Sequence, residues 1–160
     1  MKLSTKGRYG LRAVLDIAMY STSTEAVALS SIAERQSISM GYLEQLVGRL
    51  KKAQIVQSIR GAQGGYILAR PASEISVGDI LRAMEGDLSP VDCTEANGTG
   101  NCVGSGQCVT KFVWKRISDR KNDAVDSIML SELVEEGKSL QEGKEKTEVN
   151  LPKCGGEHRV

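Results

Sequence analysis

Three of the chain's four cysteines, Cys93, Cys102 and Cys108, fall inside DCTEANGTGNCVGSGQC, residues 92–108, among glycines and small polar residues. Thiolates are soft ligands, so a loop that concentrates them points to metal or redox chemistry. Disulfides use thiols in pairs and closed metal sites use four ligands, so three cysteines need a further donor. The spacing C-x8-C-x5-C matches neither the C-x2-4-C pairs of zinc sites nor the ferredoxin runs, and by spacing alone zinc and an iron-sulfur cluster stand level. Glycines let a backbone wrap an inorganic core, and Cys108 stands at the expected start of a helix, whose positive end favours thiolate. Cys154 and the chain's single histidine, His158, share CGGEH in the C-terminal tail, where no specific binding is expected.

A second chemical feature is the distribution of charge. The chain carries a net +1, yet residues 1–70 hold ten Lys and Arg against four Asp and Glu, whereas residues 71–160 hold eleven against sixteen. The basic half is expected to face a polyanion.

The elements that position these groups follow from periodicity. Leu11, Val14, Leu15 and Ala18 recur at helical spacing and predict a first helix begun near Ser4 or Thr5. Leu29, Ile32 and Ala33 mark a short second helix in which Ser31 and Glu34 have capping-box spacing. A third starts at Ser39 as N-cap, buries Leu43, Leu46, Val47 and Leu50, and offers Gly41, Glu44, Gln45, Gly48, Arg49 and Lys52 outward. The runs Ile55 to Ile59 and Tyr66 to Leu68 flank a loop with Gly61, Gly64 and Gly65 and read as a hairpin. Helices followed by a basic-tipped hairpin make a winged helix-turn-helix, whose third helix enters the major groove. Arg60, at the base of the wing, carries the fixed charge that suits a narrow minor groove.

Val77, Ile80, Leu81 and Met84 then predict a helix behind Ser76 and Asp79, and the period stops from Gly86 to Gln107. It resumes in a long helix bearing Val109, Phe112, Val113, Trp114 and Ile117, apolar on more than one face and so expected to pair with its copy. A short helix through Leu133 and Val134 is expected to end at Gly137, before a disordered tail. The fold class is therefore mainly α. A DNA-binding domain spans residues 1–86, a cysteine loop with a dimerisation helix 87–137, and the tail 138–160. A homodimer would read an imperfect palindrome of double-stranded DNA.

Some classes are disfavoured. No apolar run approaches the roughly 18 to 20 residues that cross a bilayer, and MKLSTKGRYG lacks the apolar centre of a signal peptide, so a cytoplasmic protein without a membrane partner is expected. No paired carboxylates or His-based triad is evident, and GAQGG lacks the lysine and following helix of a phosphate loop, so an enzyme is not expected.

The segments STKGRYGLRAVLDIA, ISMGYLEQLVGRLKKAQIVQSIRGAQGGYIL and SVGDILRAMEG, followed by three cysteines before a Trp-bearing helix, resemble the IscR-like iron-sulfur cluster regulators. These belong to the dimeric winged-helix repressors that also include the nitric-oxide sensor NsrR and the cysteine-metabolism regulator CymR. The resemblance covers residues 1 to about 137, and the cysteines single out the cluster-binding members. It implies a repressor that controls cluster-assembly genes through a 2Fe-2S cluster held by Cys93, Cys102 and Cys108 and supplied by the iron-sulfur assembly machinery. It also implies that Ser39, Gly41, Tyr42, Glu44 and Gln45 approach DNA from the third helix, and Ser58, Arg60 and Gly61 from the wing. Glu44 would help the clusterless form to discriminate between two classes of site, since a carboxylate accepts from cytosine but is repelled by acceptors. Two departures stand out: the first cysteine gap is longer than in IscR, and the histidine that IscR places three residues after the last cysteine is Lys111 here. The fourth ligand stays open among Lys111, Asp92, Glu95, Thr110 and a residue of a second copy. Other readings are a nitric-oxide or redox-sensing 4Fe-4S repressor, a zinc-stabilised DNA-binding module, and an iron-sulfur electron carrier.

Overall fold

Ser4 starts the first helix as its type predicts, its hydroxyl oxygen accepting from the N–H groups of Lys6 and Gly7. The computed structural model describes residues 4–94 and 107–145, and α1 runs over Thr5–Tyr20. Of the expected Leu11, Val14, Leu15 and Ala18, only Val14 is fully buried; Gly7, Gly10, Ala13, Asp16 and Ile17 join it, and Leu11, Leu15 and Ala18 lie half-buried beside them. The reason is close packing of α4 (Val77–Glu85): a Cβ at Gly10 would stand 2.5 Å from Met84 Cγ. Ser4 and the Gly7 N–H also donate to the Glu85 carboxylate, which sits at the positive end of α1.

The second helix, α2 (Leu29–Gln36), begins at the first of its marked residues, but Ser31 and Glu34 lie within it and no side chain caps it. Val27 forms an isolated bridge with Tyr66, with N–H to carbonyl bonds of 3.0 and 2.9 Å in both directions. Helix can start only once this extended pairing ends, so tertiary contact sets the boundary. Ser37 follows with φ 53, and Ile38 is buried in the turn. The third helix, α3 (Met40–Lys52), has Ser39 in the N-cap position without a side-chain capping bond, and buries Leu43, Leu46, Val47 and Leu50 as expected.

The hairpin joins β1 (Val56–Ile59) to β2 (Gly65–Leu68), antiparallel from Val56 opposite Leu68 to Ile59 opposite Gly65. The capping box of α4 is present in full: Ser76 accepts from the Asp79 N–H, and Asp79 accepts from the Ser76 N–H. Ile17, Ile32, Leu43, Leu46, Leu50, Ile55, Ile75, Ile80 and Met84 form one buried core, closed by Leu130.

Two further helices complete the described chain, α5 (Val109–Asp126) and α6 (Leu130–Glu145). The expected stop at Gly137 is overturned. That glycine lies inside α6 and against α1, where a Cβ would stand 2.9 Å from Met19 Sδ, so it serves close packing rather than termination. Gln141 Nε2 donates to the Tyr20 hydroxyl at 2.7 Å, and the expected division after residue 137 falls within a helix. Most of the expected tail, with Cys154 and His158, lies outside the described residues.

Candidate functional site

The buried stripe of α3 fixes its rotation, and this leaves Gly41, Glu44, Gln45, Gly48, Arg49 and Lys52 exposed on the opposite side, as expected. Ser39 is exposed and bonds to no N–H of the first turn. Helix N–H groups and a free hydroxyl at that end suit a phosphate. Tyr42 is only half-exposed, because its ring meets Tyr9 edge-on, with centroids 6.2 Å apart at 84°. Its orientation is thereby restricted.

Ser58, Arg60 and Gly61 are all exposed on the wing. Lys51 Nζ donates to Ser58 Oγ at 2.8 Å, tying β1 to the last turn of α3. Gly61 adopts φ 125, which disfavours an L side chain, and its carbonyl accepts from the Gly64 N–H at 2.9 Å. Sequence reasoning gave Lys51 no part, and its signal was only that it stands among the basic residues ending α3.

The cysteine region has two described ends. Cys93 is half-exposed in a 3-10 turn, Asp92–Thr94, which packs against α5. Ser89 Oγ donates to the Thr94 carbonyl at 2.9 Å and lies 3.4 Å from the Ser118 hydroxyl, and Ser118 is buried on α5. Cys108 is half-exposed at the N-cap of α5. The Thr110 hydroxyl, 3.1 Å from Sγ, lowers the Cys108 thiol below its ordinary pKa, helped by the N–H groups of Lys111 and Thr110 and by the Lys111 ammonium. Lys111 is half-buried one turn along, and Asp92 is exposed. Cys102 and Glu95 lie outside the described residues, and among the described residues no three His, Cys, Asp or Glu side chains gather around one point. The donor set nevertheless fits an iron-sulfur cluster, since it offers a thiol drawn toward thiolate at a helix start and a second thiol on a packed turn.

No described helix is long and apolar enough to cross a membrane. The Rrf2 family, described as "Iron-dependent Transcriptional regulator", matches residues 3–136. The HTH-type transcriptional regulator IscR of Escherichia coli O1:K1 is 44% identical over 134 residues, 84% of this chain and 80% of the relative. Among solved structures, IscR of T. potens superposes with a TM-score of 0.66 at 40% identity, covering 94% of both chains. CymR of B. subtilis, described as its global cysteine regulator, superposes at 0.68 with 38% identity, over 84% of this chain and 97% of that one.

Proposed function

Because the chain belongs to the Rrf2 family of iron-dependent transcriptional regulators, we propose that it is a repressor sensing iron-sulfur status through a 2Fe-2S cluster and controlling cluster-assembly genes. It is a DNA-binding transcriptional regulator of the IscR type with a winged-helix fold. In the proposed complex, α3 lies in the major groove with Ser39, Gly41, Tyr42, Glu44 and Gln45 toward the bases, while Ser58, Arg60 and Gly61 bring the wing to the adjacent backbone or minor groove. Glu44 accepts from a cytosine amino group. Glu44→Ala is expected to admit the clusterless protein to sites otherwise kept for the loaded form, and an unchanged gel-shift preference would remove that role.

Cys93, Cys102 and Cys108 hold the cluster, which the cell's iron-sulfur assembly machinery supplies. When bound, it gives the protein an occupancy that follows iron and oxidant. The observation that carries the sensing part of the reading is Cys108, an accessible thiol at the start of α5 whose neighbours favour the charged form. Metal binding needs that deprotonated sulfur. The fourth donor comes from Lys111, Asp92, Glu95, Thr110 or a second copy of the chain.

The test is footprinting of genomic fragments with cluster-loaded and clusterless protein, alongside visible and Mössbauer spectra after anaerobic purification. The expected results are 2Fe-2S signatures and protection of imperfect palindromes that changes with loading. Zinc in place of iron, a 4Fe-4S signature, or protection indifferent to the cluster would defeat the reading.

A further inference from the structure

We propose that Arg12 is a positioning residue for the recognition helix: through the amide of Gln36 it clamps the last turn of α2 to α1 and so sets where α3 begins. The inference rests on the DNA-binding reading of α3. Helix α2 ends at Gln36, and only Ser37 to Ser39 separate it from α3, so any movement of that last turn is passed to Tyr42, Glu44 and Gln45.

The Gln36 side chain is held from both ends. Its Oε1 accepts from Arg12 Nε at 3.0 Å, and its Nε2 donates to Asp16 Oδ2 at 2.8 Å. Arg12 Nη2 also donates to the Gln36 main-chain carbonyl at 2.9 Å. Arg12 and Asp16 stand one helical turn apart with opposite charges, and a primary amide can accept from the cation and donate to the carboxylate at once. Asp16 makes a firm anchor. Its side chain is fully buried and also accepts from Arg35, Nε at 3.0 Å and Nη2 at 2.6 Å. A buried carboxylate loses heavily if its donors move away.

The same guanidinium reaches α3 by a second route. It lies 5.3 Å over the Tyr9 ring, whose edge-to-face partner is Tyr42 in the first turn of α3. An exposed arginine in the basic half of a DNA-binding protein would ordinarily be read as a phosphate contact. Here two of its donor groups are already engaged within the chain, in a fork that a lysine cannot reproduce.

Arg12→Lys and Arg12→Met separate the two roles. Each variant would be titrated, as the full-length protein, against the footprinted operator and against a random duplex over a range of salt, and amide hydrogen exchange would be followed without DNA. Both variants are expected to bind the operator about tenfold more weakly, the scale of one lost base contact, while Arg12→Lys stays within about twofold on random DNA. The salt slope should be unchanged, and the Ser37 and Ile38 amides, which bond to Glu34 and Ala33 carbonyls at 3.2 and 3.0 Å, should exchange faster in both. Wild-type operator affinity in Arg12→Lys, a salt slope lower by about one in Arg12→Met, or unchanged exchange would overturn the clamp. A wild-type protein that protects no operator would defeat the DNA-binding reading instead, and the exchange measurement would still decide the clamp.

Discussion

Cys108 owes its character to its neighbours rather than to burial. The Thr110 hydroxyl is the leading cause of its lowered pKa, and a hydroxyl donating to thiolate favours the charged form. A lowered pKa means more thiolate at neutral pH and faster alkylation. Thr110→Val is therefore expected to slow iodoacetamide labelling of Cys108 severalfold at pH 7 in the clusterless protein, with rates converging at high pH, where both thiols are ionised. Mass spectrometry of the labelled peptide measures this, and equal rates at pH 7 would leave Thr110 without the role. Lys111 raises a different question, because an amine must shed a proton before it can bind iron, while an ammonium beside a thiolate-held anion already stabilises it. Lys111→Arg preserves the charge and cannot ligate. We expect this variant to keep the visible cluster absorption, and loss of that absorption would assign Lys111 as the fourth ligand. None of this was decided by spacing: the cysteines were plain in the sequence, but Thr110 stood there only as one possible ligand among several.

The Lys51 to Ser58 bond joins the wing to α3, so in the proposed complex the two would meet DNA together. Arg60 projects from the wing with a charge that needs no partner within the chain to be useful in a groove. Arg60→Ala is expected to cost about 1 to 3 kcal/mol on the operator and less on random DNA, and equal losses would reduce Arg60 to a phosphate contact. Helices whose apolar residues repeat cleanly, α3 and α4, were legible from sequence because their buried faces consist of Leu, Ile, Val and Met. The buried face of α1 was not, since Gly7, Gly10 and Asp16 do not look like core residues until α4 and Arg35 are placed against them. Gly137 misled for the same reason. A glycine used for close approach cannot be told from a helix stop without its neighbour. Gly10→Ala tests that packing: the added methyl group gains helix propensity, about 1 kcal/mol, but must displace Met84. Overpacking of this kind costs about 1 to 3 kcal/mol, so a net fall in melting temperature is expected. A rise would show that Met84 can swing aside freely.

Across the described chain, α5 is the helix that leaves most of its large apolar side chains uncovered. Over its 18 residues, about 27 Å, Ser118 alone is buried, whereas Val109, Phe112, Val113, Trp114 and Ile117 are 39 to 82% exposed. A run of large apolar side chains this exposed is unfavourable in water, and a second copy offers the same residues, so we propose a two-fold contact that would cover both at once. The charged Lys115 and Asp119, paired at 3.1 Å, lie on the same helix and would remain at the rim. Such a dimer would carry two α3 helices to two half-sites, and the second half-site would be bound at the high effective concentration set by the first. Phe112, 68% exposed and absent from the core, is a position at which the proposed seam would be broken without unfolding the protomer. Phe112→Glu is expected to keep the helical circular dichroism of the wild type, to sediment as a monomer at micromolar concentration, and to bind a palindromic operator at least about a hundredfold more weakly. A single half-site should be bound with nearly unchanged affinity. A variant that stays dimeric would place the seam elsewhere, and a monomer that still grips the full palindrome would show that each protomer reads DNA alone.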